Sequence, residues 1–357
     1  MDFLRRLEDF RGHLESSGLK CYLVTDVKNV YYLTGFLDIA DSHLSLIIPV
    51  DSQPTLLTYS LSYVAASEKA EGCQVKQVDL GKLPESTLKE VVSLRVEEAY
   101  FDKLDFKTYT GFKKEGVDMK QELQPIWRLR SVKDECEVNY MRKAAELADV
   151  GLQAGLEAVK AEAFEYEIAA EAEYAMRKNG SEGTAFETVV ASGPRSAFPH
   201  GVCSDRRIEI GDFVTLDLGA VYRGYRSDAT RTTIVGEASK KQREIYDLVL
   251  RAHEEAFNYI RPETTGKAMD KVARKIITDA GYGEMFVHGL GHGVGLDIHE
   301  PPYLTPRSED VLKVGNIVTD EPGIYVRGFG GVRIEDAVLV LEDGAERLTK
   351  TMRELEV

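Results

Sequence analysis

Apolar residues recur at helical spacing through "MDFLRRLEDFRGHLESSGL", with acids and bases between them, and predict an amphipathic surface helix. Short continuous apolar runs follow at "CYLVT", "HLSLIIPV" and "PTLLTY", each of strand length, before "LSYVAASEKAE" returns to a helical pattern. Further short strands and helices continue to about Asp118. The pattern predicts a small α/β domain. It holds no glycine-rich phosphate loop and no cluster of metal-type residues.

The texture changes around "LQPIWRLRSVKDECEVNYMRKAAELADVGLQAGLEAV", where Pro125 punctuates the chain and a long amphipathic helix begins near Lys133. A domain boundary is expected between residues 120 and 132, dividing the chain into 1–125 and 126–357. Helical periodicity returns in "FEYEIAAEAEYAMRKNG", which Gly180 closes just past the last turn, and in "KQREIYDLVLRAHEEAFNYI" and "TGKAMDKVARKIITDAG". Strands are expected at "DFVTLDLGAVY", "YRSDATRTTIV", "NIVTDEPGIYV" and "VRIEDAVLVLE", giving an α+β second domain.

At 357 residues the chain exceeds what one hydrophobic core usually serves, and 43% hydrophobic with 29% charged residues describes a globular protein. No run reaches the roughly 18 apolar residues of a membrane span, and the charged N-terminal helix lacks the uninterrupted apolar core of a signal peptide. A formal charge of −15 disfavours nucleic acid and anionic membrane as partners but is compatible with metal cations. Cys21, Cys73, Cys136 and Cys203 form no CxxC pair and are expected to be free thiols in a reducing, cytoplasmic compartment.

Two hairpin-like units echo one another. In the first, Asp217 and Asp228 flank a turn near Tyr222 and Arg223, with Gly224 available for an unusual dihedral. In the second, Glu321 and Glu335 are symmetric about Gly328. Strands folding back at those centres would set the acids of each pair opposite one another on one face, which destabilises unless a positive charge lies between them. Between the units lies "HGLGHGVGLDIHEPP", with three of the chain's seven histidines and four glycines in fifteen residues. So many glycines exclude the helical HExxH zinc motif, whose glutamate is also missing, and suit backbone that approaches something closely. Four carboxylates and an imidazole compose an oxygen-rich site able to hold two divalent cations, Mn²⁺, Co²⁺, Zn²⁺ or Fe²⁺.

"TLDLGAVYRGYRSDATRT", "GHGVGLDIHEPP", "VTDEPGIY" and "GVRIED" together resemble the pita-bread metallopeptidases, the Xaa-Pro dipeptidases (prolidases), Xaa-Pro aminopeptidases and methionine aminopeptidases, over nearly the whole chain. The resemblance implies a creatinase-type, ribonuclease H-like α/β N-terminal domain for capping and dimerisation, and a catalytic domain built on a curved antiparallel sheet. It implies Asp217, Asp228, His292, Glu321 and Glu335 as ligands of two metal ions, with Asp228 and Glu335 bridging. Glu321 would serve as general base toward a water activated by both ions. His299 would assist the developing oxyanion, His200 and His288 would line the pocket for the residue after the cleaved bond, and Arg333 would orient carboxylates. Tyr225 and Tyr325 are candidate hydrogen-bond donors behind the ligands. Strand alternation should turn Asp320 and Asp336 away from the metals, and Asp297 and Glu300 read as loop acids.

The implied substrate is a small Xaa-Pro peptide and the implied assembly a homodimer. The 120 or so residues before the catalytic domain disfavour methionine aminopeptidase, and the overall length favours a dipeptidase over an Xaa-Pro aminopeptidase. The segment "FLDIADSHLS", with Asp38, Asp41 and His43, is the candidate cap that would exclude longer peptides. A peptide-binding module or a creatinase-like hydrolase of the same fold are further alternatives, although both typically lack the full ligand set.

Overall fold

The computed structural model describes residues 1–38 and 43–356, so Asp41 of the expected cap lies outside the described residues. The chain divides into two compact units, Met1–Arg130 and Ser131–Val357.

The first unit is built on six strands, β1 (Cys21–Val24), β2 (Leu44–Pro49), β3 (Thr55–Tyr59), β4 (Gln74–Val78), β5 (Glu98–Phe101) and β6 (Asp118–Gln121), in the order β4-β3-β2-β1-β5-β6. The sheet is mixed: β1 to β3 pair antiparallel, while β3–β4, β1–β5 and β5–β6 are parallel. Helices α1 (Phe3–Ser16), α2 (Val27–Thr34), α3 (Ser60–Lys69), α4 (Leu83–Ser93), α5 (Phe106–Lys114) and α6 (Gln124–Ser131) alternate with the strands. The expected division after residue 125 cuts α6. Ile126 and Arg130 of that helix are buried in the first unit, where Arg130 Nη1 donates to Asn29 Oδ1 at 2.7 Å, so the division falls after Arg130.

In the second unit, α7 (Glu135–Ala158) opens with a reciprocal cap in which Asp134 accepts from the Glu137 amide and Glu137 accepts from the Asp134 amide. It packs beside α8 (Glu165–Lys178), which ends before Gly180 at φ +107°, as its sequence predicts. The apolar faces of this pair cover β7 (Val189–Ser192), β8 (Phe213–Leu218) and β11 (Ala229–Ile234), in a core including Leu147, Ile168, Val190 and Leu216. Between β8 and β11, β9 (Val221–Tyr222) and β10 (Tyr225–Arg226) form a tight hairpin. Arg223 and Gly224 there take φ of +52° and +78°, the paired left-handed dihedrals of a two-residue turn matched to strand twist.

A second helix pair, α9 (Lys240–Tyr259) and α10 (Gly266–Asp279), repeats the plan over the other half. It covers β12 (Gly291–Gly293), β13 (Glu300–Leu304), β14 (Ile317–Asp320), β17 (Asp336–Leu341) and β18 (Gly344–Arg347), ordered β13-β12-β14-β17-β18. β15 (Gly323–Val326) and β16 (Gly330–Arg333) extend the β14–β17 hairpin in the same register beyond a short break, and every strand pairing of this unit is antiparallel. An isolated bridge, Thr230 to Glu335, joins the two halves beside the cavity, and a second, Ile234 to Glu356, ties β11 to the end of the chain.

Candidate active site

The bridge from Thr230 to Glu335 brings the acids of the two hairpins together. The β8–β11 register pairs Asp217 with Thr230, so Asp228 lies diagonally across from Asp217 and two residues from direct opposition. Directly opposed and diagonal positions share a face, so both acids still point the same way. In the second hairpin β14 and β17 pair Asp320 with Asp336, which makes Glu321 and Glu335 the next facing positions at the break before β15 and β16. The Thr230 hydroxyl donates to Glu335 Oε2, and the Glu335 amide donates to Thr230 O at 3.1 Å. Thr319 Oγ1 donates to Glu321 Oε1 at 3.0 Å and accepts from the His292 amide at 3.0 Å.

Burial sets the charge of this cluster. Desolvation pushes the Asp228 and Glu335 carboxyls well above the usual carboxylate range, and the neighbouring acids push the same way. Burial would also raise Glu321, but the hydrogen bond from His292 and its charge, with His292 Nε2 3.3 Å from Glu321 Oε1, hold it down at about 2. His292 is the counterpart: desolvation disfavours its charge, yet Glu321 and Asp228 raise it to about 9. Its Nδ1 lies 3.0 Å from Gly293 O, which places a proton there and turns Nε2 toward the acids, the orientation a ligating imidazole needs.

The glycines of the histidine-rich stretch keep strands close. A Cβ on Gly291 would lie 2.1 Å from Thr319 O, and one on Gly293 would lie 2.5 Å from Glu300 O and Pro301 O. They let β12 nest against β13 and β14 and so carry His292 to the acids, rather than making room for substrate alone.

Around this core runs a chain of donors. Arg333 Nη2 is paired with Asp217 Oδ2, its Nη1 donates to the Tyr325 hydroxyl at 2.7 Å, and that hydroxyl donates to His288 Nε2 at 2.9 Å. His288 Nδ1 then faces Gly289 O at 2.8 Å, and burial lowers its pKa, so one neutral tautomer is fixed. His299 stacks edge-on against His292 with ring centres 4.2 Å apart, and burial followed by the His292 charge lowers its pKa. With His200 it lines a cavity of about 890 Å³, which reaches Asp217, Asp228, His292, Glu321 and Glu335 and has apolar walls at Phe186, Val189, Phe198 and Ile298. All of the expected catalytic and ligand side chains therefore border one cavity.

The cluster fits divalent cations. Asp228, His292 and Glu335 each place a ligand atom within 4.8 Å of the other two, and Asp217 Oδ1 is buried without a hydrogen-bond partner. Buried like charges of this kind call for a cation between them.

The comparisons with known proteins agree. Residues 139–342 match the model of metallopeptidase family M24, and residues 6–132 match the creatinase/prolidase N-terminal domain. The chain belongs to metallopeptidase family M24. It is 42% identical to an Xaa-Pro dipeptidase of Pyrococcus furiosus, over 98% of this chain and 99% of the relative. Among solved structures, an Xaa-Pro dipeptidase from Bacillus anthracis superposes with a TM-score of 0.93 at 38% identity, covering 99% of this chain and all of the other. An X-Pro aminopeptidase from Thermotoga maritima superposes with a TM-score of 0.88 at 33% identity, over 98% and 99% of the two chains. The fold is thus a creatinase-type N-terminal domain followed by an M24 pita-bread catalytic domain.

Several residues that support this M24 site carry no motif. His253 of α9 is wholly buried between Asp320 and Asp336, which, as alternation predicts, face away from the cavity. Asp270 and Arg274 of α10 hold the loop that bears His288: Asp270 Oδ1 accepts from the Leu290 amide at 3.1 Å, and Arg274 Nη1 donates to Phe286 O at 2.8 Å. A helical i, i+4 acid–base pair was the one signal that could have found them. Lys133 and Glu300 form a fully buried ion pair of 2.8 Å, so Glu300 is a paired interior acid. Tyr325 lies beside the cluster, bonded to Arg333 and His288. Tyr225 does not: its hydroxyl donates to Glu137 Oε1 of α7 at 2.7 Å, because the β9–β10 turn carries it toward the helix layer.

Proposed function

We propose that this chain is a metal-dependent dipeptidase that hydrolyses the bond between an N-terminal residue and proline. The observation that carries the reading is the convergence of Asp228, His292 and Glu335 on the floor of a cavity whose volume, about 890 Å³, suits a small peptide. Asp217, Asp228, His292, Glu321 and Glu335 would hold two divalent ions, Mn²⁺, Co²⁺, Zn²⁺ or Fe²⁺. Such ions, when bound, supply Lewis acidity and a water acidic enough to lose its proton near neutral pH.

The chain's own residues do the rest. Glu321 is a carboxylate bordering the cavity and is available to accept a proton from the attacking water. His299, neutral and bordering the cavity, can donate toward the oxygen on which charge develops. Arg333 and Tyr325 fix Asp217 and His288 in place. An Xaa-Pro bond has no N–H to recognise, so the apolar walls at Phe198 and Ile298 carry selectivity for the pyrrolidine ring. The same reading includes a homodimer, an N-terminal domain with capping and dimerisation roles, and a cytoplasmic setting, to which the four free cysteines are suited.

One observation favours Xaa-Pro aminopeptidase activity as a second reading. Arg333 is the one Lys or Arg among the described residues lining the cavity, and it is already paired with Asp217, leaving no free cation there for a dipeptide's carboxylate. Metal-stripped protein restored with Mn²⁺, Co²⁺ or Zn²⁺ and offered Ala-Pro, Ala-Pro-Ala and Ala-Ala separates the two. Metal-dependent cleavage of Ala-Pro alone is expected of the dipeptidase, cleavage of Ala-Pro-Ala as well would establish the aminopeptidase, and no cleavage with any metal would refute both.

A further inference from the structure

His253 belongs to no motif and does not touch the cavity, yet it is wholly buried midway along α9, on the face that packs through Val249, Ala252 and Ala256 against the sheet. Burying an imidazole without partners is costly, and both ring nitrogens are engaged. Nδ1 lies 3.1 Å from Asp320 O and 3.2 Å from Asp320 Oδ2, and Nε2 lies 2.9 Å from Asp336 Oδ2. The two aspartates are a directly facing pair of β14 and β17, and the next pair in that register is Glu321 and Glu335.

Successive residues of a strand point to opposite faces. A clamp on Asp320 and Asp336 from behind therefore fixes where the chain turns Glu321 and Glu335 toward the cavity. We propose that His253 is a positioning residue of the metal centre, which acts by tying β14 to β17 at the aspartates and thereby sets the placement of Glu321 relative to Glu335. The inference rests on the reading of Glu321 and Glu335 as metal ligands.

The two aspartates depend on His253 unequally. Asp336 is also held by Arg231, Arg353 and the Thr349 hydroxyl, the last at 2.8 Å. Asp320, among the described residues, has its ion-pair contact with His253, and neither of its carboxylate oxygens has a further hydrogen-bond partner. Loss of the imidazole thus releases the β14 side, and Glu321 with it, more than the β17 side. Disturbing such supporting contacts typically weakens metal binding 10- to 100-fold.

The test is calorimetric titration of Mn²⁺ into metal-stripped protein, wild type and His253→Gln, well below the unfolding temperature of either. Met269→Ala, in the same apolar core but without a polar link to the acids, is the control for general loosening. Expected is a loss of Mn²⁺ affinity of about tenfold or more in His253→Gln, with Met269→Ala within twofold of wild type. Unchanged affinity in His253→Gln, or an equal loss in Met269→Ala, would overturn the positioning role. If His253→Gln yields no folded protein, the double variant His253→Gln/Asp320→Asn, which removes one charge of each sign, is titrated with the same expectation and the same overturning result. Absence of Mn²⁺ binding by wild type would instead strike the metallopeptidase reading itself, so the two failures are distinguishable.

Discussion

Glu335 and Asp336, neighbours on opposite faces of the β14–β17 hairpin, meet opposite electrostatic fates. On the cavity side, burial and then the nearby Asp228 and Glu321 push Glu335 well above the ordinary carboxylate range. On the core side, burial would raise Asp336 too, but Arg231, the hydrogen bond from His253 and the charge of Arg353 drive it far below that range. Both are buried carboxyls, so the difference is the supply of cations. One cluster is completed by the chain's own arginines and histidine. The other gathers Asp217, Asp228, Glu321 and Glu335 around His292 and Arg333 and is left short of positive charge, which is the condition under which divalent ions bind.

The largest expected effect breaks the cavity-side cluster. Glu335→Gln should lower dipeptide hydrolysis by on the order of 10³-fold, about 4 kcal/mol of transition-state stabilisation, measured as kcat/KM with metal in excess. Next comes the core side. Asp336→Asn leaves Arg231 and Arg353 without their buried acid and should cost about 3–5 kcal/mol of stability, read from urea unfolding of metal-free protein. In that same assay Glu335→Gln should be neutral or stabilising, since it removes a carboxylate that burial disfavours. A comparable loss in both variants would dissolve the contrast between the faces.

A smaller effect sharpens it through pH. The aspartates raise His253 from 6.5 in the unfolded chain to about 9 in the fold, against the desolvation that would lower it. The folded state therefore holds this proton more tightly. The stability it contributes is fully present below pH 6.5 and is lost as pH rises through 9. The wild-type advantage over His253→Gln should shrink by on the order of 3 kcal/mol between those pH values, followed by denaturant unfolding at each pH. Thr230→Val gives the smallest effect. It removes the donor to Glu335 and an acceptor for Arg333 Nε, 3.1 Å away, and should weaken metal affinity about tenfold with little change in unfolding.

The cavity-side cluster was legible in the sequence because its acids sit in two hairpins that flank a histidine in glycine-rich chain, and each hairpin places its pair on one face. The register was less so. The β9–β10 turn centres between Arg223 and Gly224, which shifts Thr230 opposite Asp217 and leaves Asp228 diagonal. The core-side cluster was only half legible. Alternation turns Asp320 and Asp336 inward, but nothing in the pattern of α9 marks His253, a polar residue at an apolar position of a strongly amphipathic helix, as their partner. Such pairings depend on which helix face meets which strand, and that is decided by tertiary packing. The same holds for α6, whose side chains bind to the first unit and move the division past Pro125.

The most direct test of a cation-deficient cavity cluster is thermal unfolding of metal-stripped protein with increasing Mn²⁺, in wild type and in Glu335→Gln. Wild type should start with a lower or equal Tm and rise steeply as Mn²⁺ is added, because an ion that binds the folded state alone stabilises it; Glu335→Gln should start as high or higher and respond weakly. A wild-type Tm indifferent to Mn²⁺, or a metal-free Glu335→Gln as unstable as Asp336→Asn, would contradict it.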